Sequence, residues 1–151
     1  MGLRGYGPPR QGAGLTREGR NILELAYPEL ERYAEELVKR DLIHISMTMM
    51  RRLHQEIARI RDKVMGGGGL EECRRMLSRL KYLLAYTYGR LEEGKRKNFR
   101  EYMETLKKTI DNIDSMLQDK DTQKLRREDI EKLYTFSEAI IAYHKYYEAG
   151  G

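Results

Sequence analysis

Apolar residues recur along this chain at three- and four-residue steps, in blocks interrupted by short polar or glycine-rich breaks. Such spacing puts the apolar side chains on one face of a helix. The clearest block is Met50, Leu53, Ile57, Ile60 and Val64, preceded by Ser46. A serine at that position accepts from an N–H of the first turn and starts the helix. Gly66 to Gly69 end it, and four consecutive glycines make a flexible tether. Cys73, Leu77, Leu80, Leu84 and Leu91 then predict a helix from about Leu70 to Glu93. Phe99, Met103, Leu106, Ile110, Ile113 and Leu117 predict the next, from about Asn98 to Asp119. Ile130, Leu133, Ile140, Ile141 and Tyr147 predict a last one, from about Arg127 to Glu148.

Upstream the pattern is weaker. Pro28 suits a first helical turn, because the N–H it lacks would be unpaired there, and that helix runs to about Arg40. Thr16 to Ala26 fits a short helix or a loop. Residues 1–15 form a Gly/Pro-rich basic tail that cannot bury apolar surface and is expected to be disordered. No window alternates with period two, so no sheet is expected. Helices of about twenty residues are each roughly 30 Å long, and short connections favour antiparallel neighbours. The expectation is an all-α, elongated bundle of about five helices, one domain over residues 16–151.

The length of 151 residues is enough to bury a core without disulfides or metals. Cys73 is the only cysteine, so no internal disulfide can form, and it falls on the apolar side of its helix. No apolar run approaches a membrane span, and no signal-peptide pattern opens the chain. The expectation is a cytoplasmic protein with no membrane partner. A net charge of +5 with 35% charged residues suits a polyanion partner, and equally a merely soluble surface.

Enzyme chemistry finds little to stand on. The histidines are His44, His54 and His144; no two are four residues apart and no Glu-x-x-His pair exists. That argues against a di-iron bundle and a zincin-type site. Gly66 to Gly69 lack the lysine of a phosphate loop. Most acidic residues are interleaved with Lys and Arg, as on a solvated face. No catalytic residue, metal or cofactor is expected. His144 lies on the apolar side of the last helix and reads as a satisfied, partly buried histidine.

The nucleic-acid signal lies on the third helix. At roughly 100° per residue, Arg75, Arg79, Tyr82, Tyr86 and Arg90 fall within about an 80° arc, roughly opposite the Cys73–Leu77–Leu80–Leu84 stripe. Arginine donates fork-like pairs of hydrogen bonds to phosphate, and tyrosine stacks on bases. A solvated face with its tyrosines packed on a neighbouring helix would give the same pattern. The second helix repeats it with Arg52, Arg59 and Lys63, and Arg51 on the flank. Lys95, Arg96 and Lys97 are expected as a basic turn in the loop after the third helix; the methionines mostly suit the core, and the Met47, Met49 and Met50 cluster also fits an adaptable protein-binding surface.

Three segments carry a family resemblance. Phe136 to Tyr147, with Ala142-Tyr143-His144-Lys145 inside it, resembles the ending of the small subunits of type III-A (Csm) CRISPR effector complexes. Leu80 to Arg90 is similar to their Leu-x-Pro-Lys-Leu-Ala-Tyr-x-x-(small)-Arg motif, with Tyr82 in place of Pro and Leu83 in place of Lys. Ser46 to Leu53 resembles their Ser/Thr-rich start and basic pair, with Met49 in place of Gln. The resemblance implies a non-catalytic subunit that stacks in several copies beside other effector subunits. It would line the channel holding guide (crRNA) and target RNA and contact phosphates rather than base edges, in antiviral defence. It assigns RNA contacts to Arg51, Arg52, Tyr86 and Arg90, beside the independently read Arg75 and Arg79, with Lys81 or Arg79 as a substitute for the missing lysine at 83. A scaffold subunit that touches only protein is the other reading.

Overall fold

The protein was analysed as a computed structural model, which describes residues 18–118 and 127–151. The tail expected over residues 1–15 lies outside the described residues. Five α-helices make up the bundle: α1 (Tyr27–Arg40), α2 (Met47–Met65), α3 (Leu70–Arg90), α4 (Glu93–Gln118) and α5 (Arg127–Glu148). Short 3-10 turns at Ile22–Glu24 and Leu42–His44 complete it, and no strand occurs among the described residues. The all-α bundle read from the periodicity is the fold observed.

Local signals set the helix starts. Ser46 Oγ accepts from the N–H of Met49 at 3.2 Å, which caps α2. Ala26 has no side-chain acceptor to offer α1, but Glu29 reaches back to the Ala26 N–H at 3.3 Å, half of a capping box. Gly67 at φ +89 takes the left-handed conformation that closes the α2–α3 turn.

Around the bundle the order is α1, α5, α2, α3, α4. Contacts fix the directions. His54 meets Ser137 and Arg61 meets Glu131, so α2 and α5 are antiparallel. Arg74 meets Asp114 and Arg100 meets Tyr88, so α3 and α4 are antiparallel too. Tyr33 packs on Phe136 and Tyr147 bonds Glu35, so α1 and α5 run parallel. The stripes read from sequence form one core that includes Leu53, Ile57, Leu77, Leu80, Leu84, Phe99, Leu106, Ile110, Leu133 and Phe136. Each such fully buried side chain contributes about 2 kcal/mol. Cys73 lies within it, and burial, helped by nearby Asp114, raises its thiol pKa to about 11. His144 is buried, and its Nε2–H donates to the Ile45 carbonyl at 2.7 Å. On α5, Ile141 and Tyr147 are only partly buried, and Phe136 is the deep aromatic.

The structure corrects one boundary. The third helix ends at Arg90 rather than near Glu93, and the next starts at Glu93 rather than Asn98. Lys95, Arg96 and Lys97 are therefore the first turns of α4, not a loop. A run of like charge reads as a solvated connection, but Lys, Arg and Glu are good helix formers. Leu91, extended and buried, is the hinge that turns the chain.

Candidate nucleic-acid interface

The helices divide the charge unequally. Together α2 and α3 carry ten Arg and Lys against four Asp and Glu, whereas α1 and α5 carry six against nine. Because α2 and α3 are ring neighbours joined by the glycine tether, their excess falls on one side of the bundle. An antiparallel hairpin sets the start of α2 beside the end of α3. There Ser46, Thr48, Arg52, Tyr86 and Arg90 line a cleft of about 300 Å³. A second depression along the same seam is bordered by Glu56, Arg79, Tyr82 and Tyr86, and Tyr86 is common to both.

The arginines differ in what holds them. No carboxylate oxygen among the described residues lies within 4 Å of Arg51, Arg52, Arg75 or Arg90. Arg90 Nη1 donates to the Tyr86 hydroxyl at 3.2 Å, which aims the guanidinium along the seam. Arg79 reaches Glu56 at 4.0 Å, but the same carboxylate already accepts from Arg59 at 2.8 Å. One carboxylate between two guanidiniums leaves a net positive charge. Lys63 pairs with Glu72 at 3.3 Å on the exposed surface, where such a pair contributes at most about 1 kcal/mol.

The structure thus gathers Arg52, Arg79, Tyr86 and Arg90 along one seam and sets the other residues of the sequence reading apart. Arg51 sits about 100° round α2 from Arg52, towards the flank where His54 and Arg61 meet α5. Lys81 faces α4, where its Nζ donates to Asp111 at 2.6 Å. Arg75 borders the α3–α4 groove with Arg74 and Asp114. Arg74 bonds Asp114 at 2.8 Å and, outweighing burial, holds that carboxyl below its usual pKa range. The hydroxyls of Ser46 and Thr48 were missed as lining residues. Ser46 reads as a cap from sequence, although an antiparallel α2–α3 hairpin already implies that residues 48 and 87 meet.

A second polar cluster, between α1 and α4, escaped the sequence reading altogether. Glu101 is buried, accepting from Arg40 at 2.8 Å and from the Tyr33 hydroxyl at 2.8 Å. The phenol's one proton goes to Glu101, so Thr105 donates to the phenol oxygen at 2.9 Å and accepts from the Arg20 N–H at 3.0 Å. Burial is the main reason the Tyr33 pKa is raised. The signal was there: Glu101, Thr105 and Thr109 recur every four residues beside the apolar stripe of α4. Among the described residues no three His, Cys, Asp or Glu side chains are grouped to hold a metal ion, and no helix is long and apolar enough to cross a membrane.

The family model described as Csm2 Type III-A matches residues 24–150, nearly all of the described chain and all three segments that carried the resemblance. The chain belongs to that family. Csm2 proteins are structural small subunits of type III-A CRISPR complexes and assemble with other Csm subunits. No curated protein and no solved structure gives a match.

Proposed function

We propose that this Csm2 subunit holds RNA by its phosphates along the α2–α3 face, without bond-breaking chemistry of its own. In this reading crRNA and target RNA are its ligands, other effector subunits and copies of itself are its neighbours, and cytoplasmic antiviral defence is its setting. The observation that supports it most is the set of guanidiniums on that face with no carboxylate partner, Arg52 and Arg90 in one cleft among them. An unpaired guanidinium keeps its full charge for a phosphate, whereas one already paired must first give up its carboxylate. Arg79 contributes the net positive charge it shares with Arg59 and Glu56. Arg51, Arg75 and Lys81 belong to flanking contacts in the assembled complex.

The test is RNA affinity of the full chain across a salt series. Binding should be independent of sequence, weak for a single copy and strongly weakened by salt. Its log–log slope should be roughly −0.7 per phosphate neutralised on a single strand. An Arg79→Ala/Arg90→Ala variant should fold normally, bind less, and flatten that slope by roughly 1.4. Unchanged affinity in the folded variant would remove α3 from the interface. No affinity for RNA at low salt, with copurification of partner subunits intact, would establish the protein-only scaffold instead.

A further inference from the structure

Two tyrosines on the α2–α3 face contribute little to the fold. Tyr82 is 67% exposed and Tyr86 54% exposed, and the apolar stripe of α3 is complete without either. Most other described tyrosines are engaged. Tyr102 is buried and Tyr33 bonds Glu101. Tyr88 lies under the guanidiniums of Arg96 and Arg100, Tyr134 under Arg61, and Tyr27 under Lys132. Tyr146, 56% exposed, sets its ring edge-on to Tyr147 at 4.9 Å. Tyr82 has neither a polar nor a ring partner among the described residues. Tyr86 has only Arg90, at 3.2 Å from its hydroxyl and 5.7 Å from its ring centre.

These rings sit one helical turn apart on the same side of α3, about 6 Å along its axis. Arg79 borders the same depression as both, and Arg52 and Arg90 share the adjoining cleft with Tyr86. Aromatic faces alternating with unneutralised cations are the surface chemistry that suits a single strand: bases stack on the rings and phosphates meet the guanidiniums. A closed duplex offers a protein its phosphates and groove edges, because its base faces are already covered by their neighbours. It would leave Tyr82 and Tyr86 with nothing to stack on.

Resting on the phosphate-binding reading above, we infer that this face takes unpaired ribonucleotides, with bases stacked on Tyr82 and Tyr86. The alternation of ring and guanidinium then gives a preference for unpaired over paired RNA without any preference for sequence, since every base has a face to stack.

The experiment measures binding of the full chain, by fluorescence anisotropy at low salt, to three labelled forms of one RNA of about 12 nucleotides. These are the single strand, the same strand in a perfect duplex, and the strand with abasic sites at its centre. The single strand should bind roughly tenfold more tightly than the other two. Tyr82→Leu/Tyr86→Leu should lose roughly that factor on the single strand and little on the duplex, with a nearly unchanged salt slope, because Arg90 keeps its charge in the cleft although its bond to the Tyr86 hydroxyl is lost. The Phe versions of both positions should restore binding, and circular dichroism should show the same helix content throughout. Equal affinity for single strand and duplex, or an unaffected Leu variant, overturns the stacking site while leaving phosphate binding in place. Absence of binding to every form overturns both.

Discussion

Between α1 and α4, Arg40 lies 2.8 Å from Glu101 and 3.1 Å from Asp41, and Tyr33 and Thr105 complete the shell around the carboxylate. On the α2–α3 face, Arg52 and Arg90 have no carboxylate within 4 Å among the described residues. Both regions use arginine on a helix, yet to opposite ends. In the first, burial makes pairing compulsory, because a charge removed from water without a partner costs several kcal/mol. In the second, water solvates the guanidiniums, so folding neither requires nor supplies a counter-charge and the sites stay available. Fold and binding are thus assigned to different seams of one small bundle, and changes in one should leave the other largely unaffected.

The largest effect should come from breaking the paired seam. Glu101→Ala removes the acceptor that the Arg40 guanidinium and the Tyr33 hydroxyl share, leaving Arg40 only Asp41 and Tyr33 only Thr105. Loss of one partner of a fully buried pair costs roughly 3–5 kcal/mol. Arg40 keeps 30% of its side chain in water, which lowers the expectation to about 2–3 kcal/mol. For a chain of this size that is a fall in Tm of roughly 5–10 °C. Thermal unfolding checks it, and RNA affinity below the transition should be unaltered. A folded, stable Glu101→Ala protein that had lost RNA binding would contradict the division of labour.

Much of the paired seam was invisible in the sequence for a physical reason. Glu101 meets Arg40 from 61 residues away and Tyr33 from 68 residues away, and no local period announces a partner that distant. By contrast, the cap at Ser46 and the stripe from Met50 to Val64 depend only on neighbours within one or two turns, so they were legible. The α3–α4 junction fell between these cases. Helix propensity favoured helix through Lys95–Lys97, but the break at Leu91 is set by where that side chain finds the core. For the face, the arc of Arg79, Tyr82, Tyr86 and Arg90 followed from helix geometry alone. Which cations stay unpaired did not, because Asp111, which takes Lys81, comes from another helix, and Glu56, near Arg79, from α2.

A middling effect is expected where residues 18–25 close over the paired seam. The N–H groups of Arg20 and Ile22 donate to Thr105 and Thr109, and Lys108 and Lys132 donate to the carbonyls of Gly19, Leu23 and Leu25. Gly19 lies so close to α4 that a Cβ there would overlap the backbone of Glu104 and Thr105, which cannot rotate aside. Gly19→Ala should therefore cost about 1–2 kcal/mol, as overpacking does. Gly69→Ala is the matched control: nothing surrounds that position, its φ of −73 suits any residue, and its stability should stay within about 0.5 kcal/mol. Denaturant midpoints of the two variants, compared with the parent, sharpen the contrast between a glycine held against a helix and one in an open tether.

The smallest effect concerns α2, which carries both kinds of residue within one turn. Arg52 faces the open seam, while His54 turns towards α5, where its Nδ1 lies 2.8 Å from the buried Ser137 hydroxyl and its ring packs on Tyr134. Burial holds the His54 pKa below the ordinary histidine value, and the nearby Glu138 carboxylate opposes this without overcoming it. The unfolded chain therefore takes up a proton at higher pH than the folded one. By linkage the stabilisation from neutral His54 is complete above the unfolded pKa of about 6.5. It is lost progressively as pH falls through that value towards the lower folded one. Denaturant midpoints should decline from pH 7.5 to 5.5, and His54→Gln should flatten the decline, since a glutamine at 54 has nothing to titrate. Paired and unpaired cations predict different company for that decline. His54 faces α5 and Arg52 and Arg90 line the open cleft, so the RNA affinity of the protein that remains folded should not follow the histidine. If affinity instead tracked the His54 titration, the inner and outer flanks of α2 would be coupled, and the separation of folding seam from binding face would fail at the helix where the two lie closest.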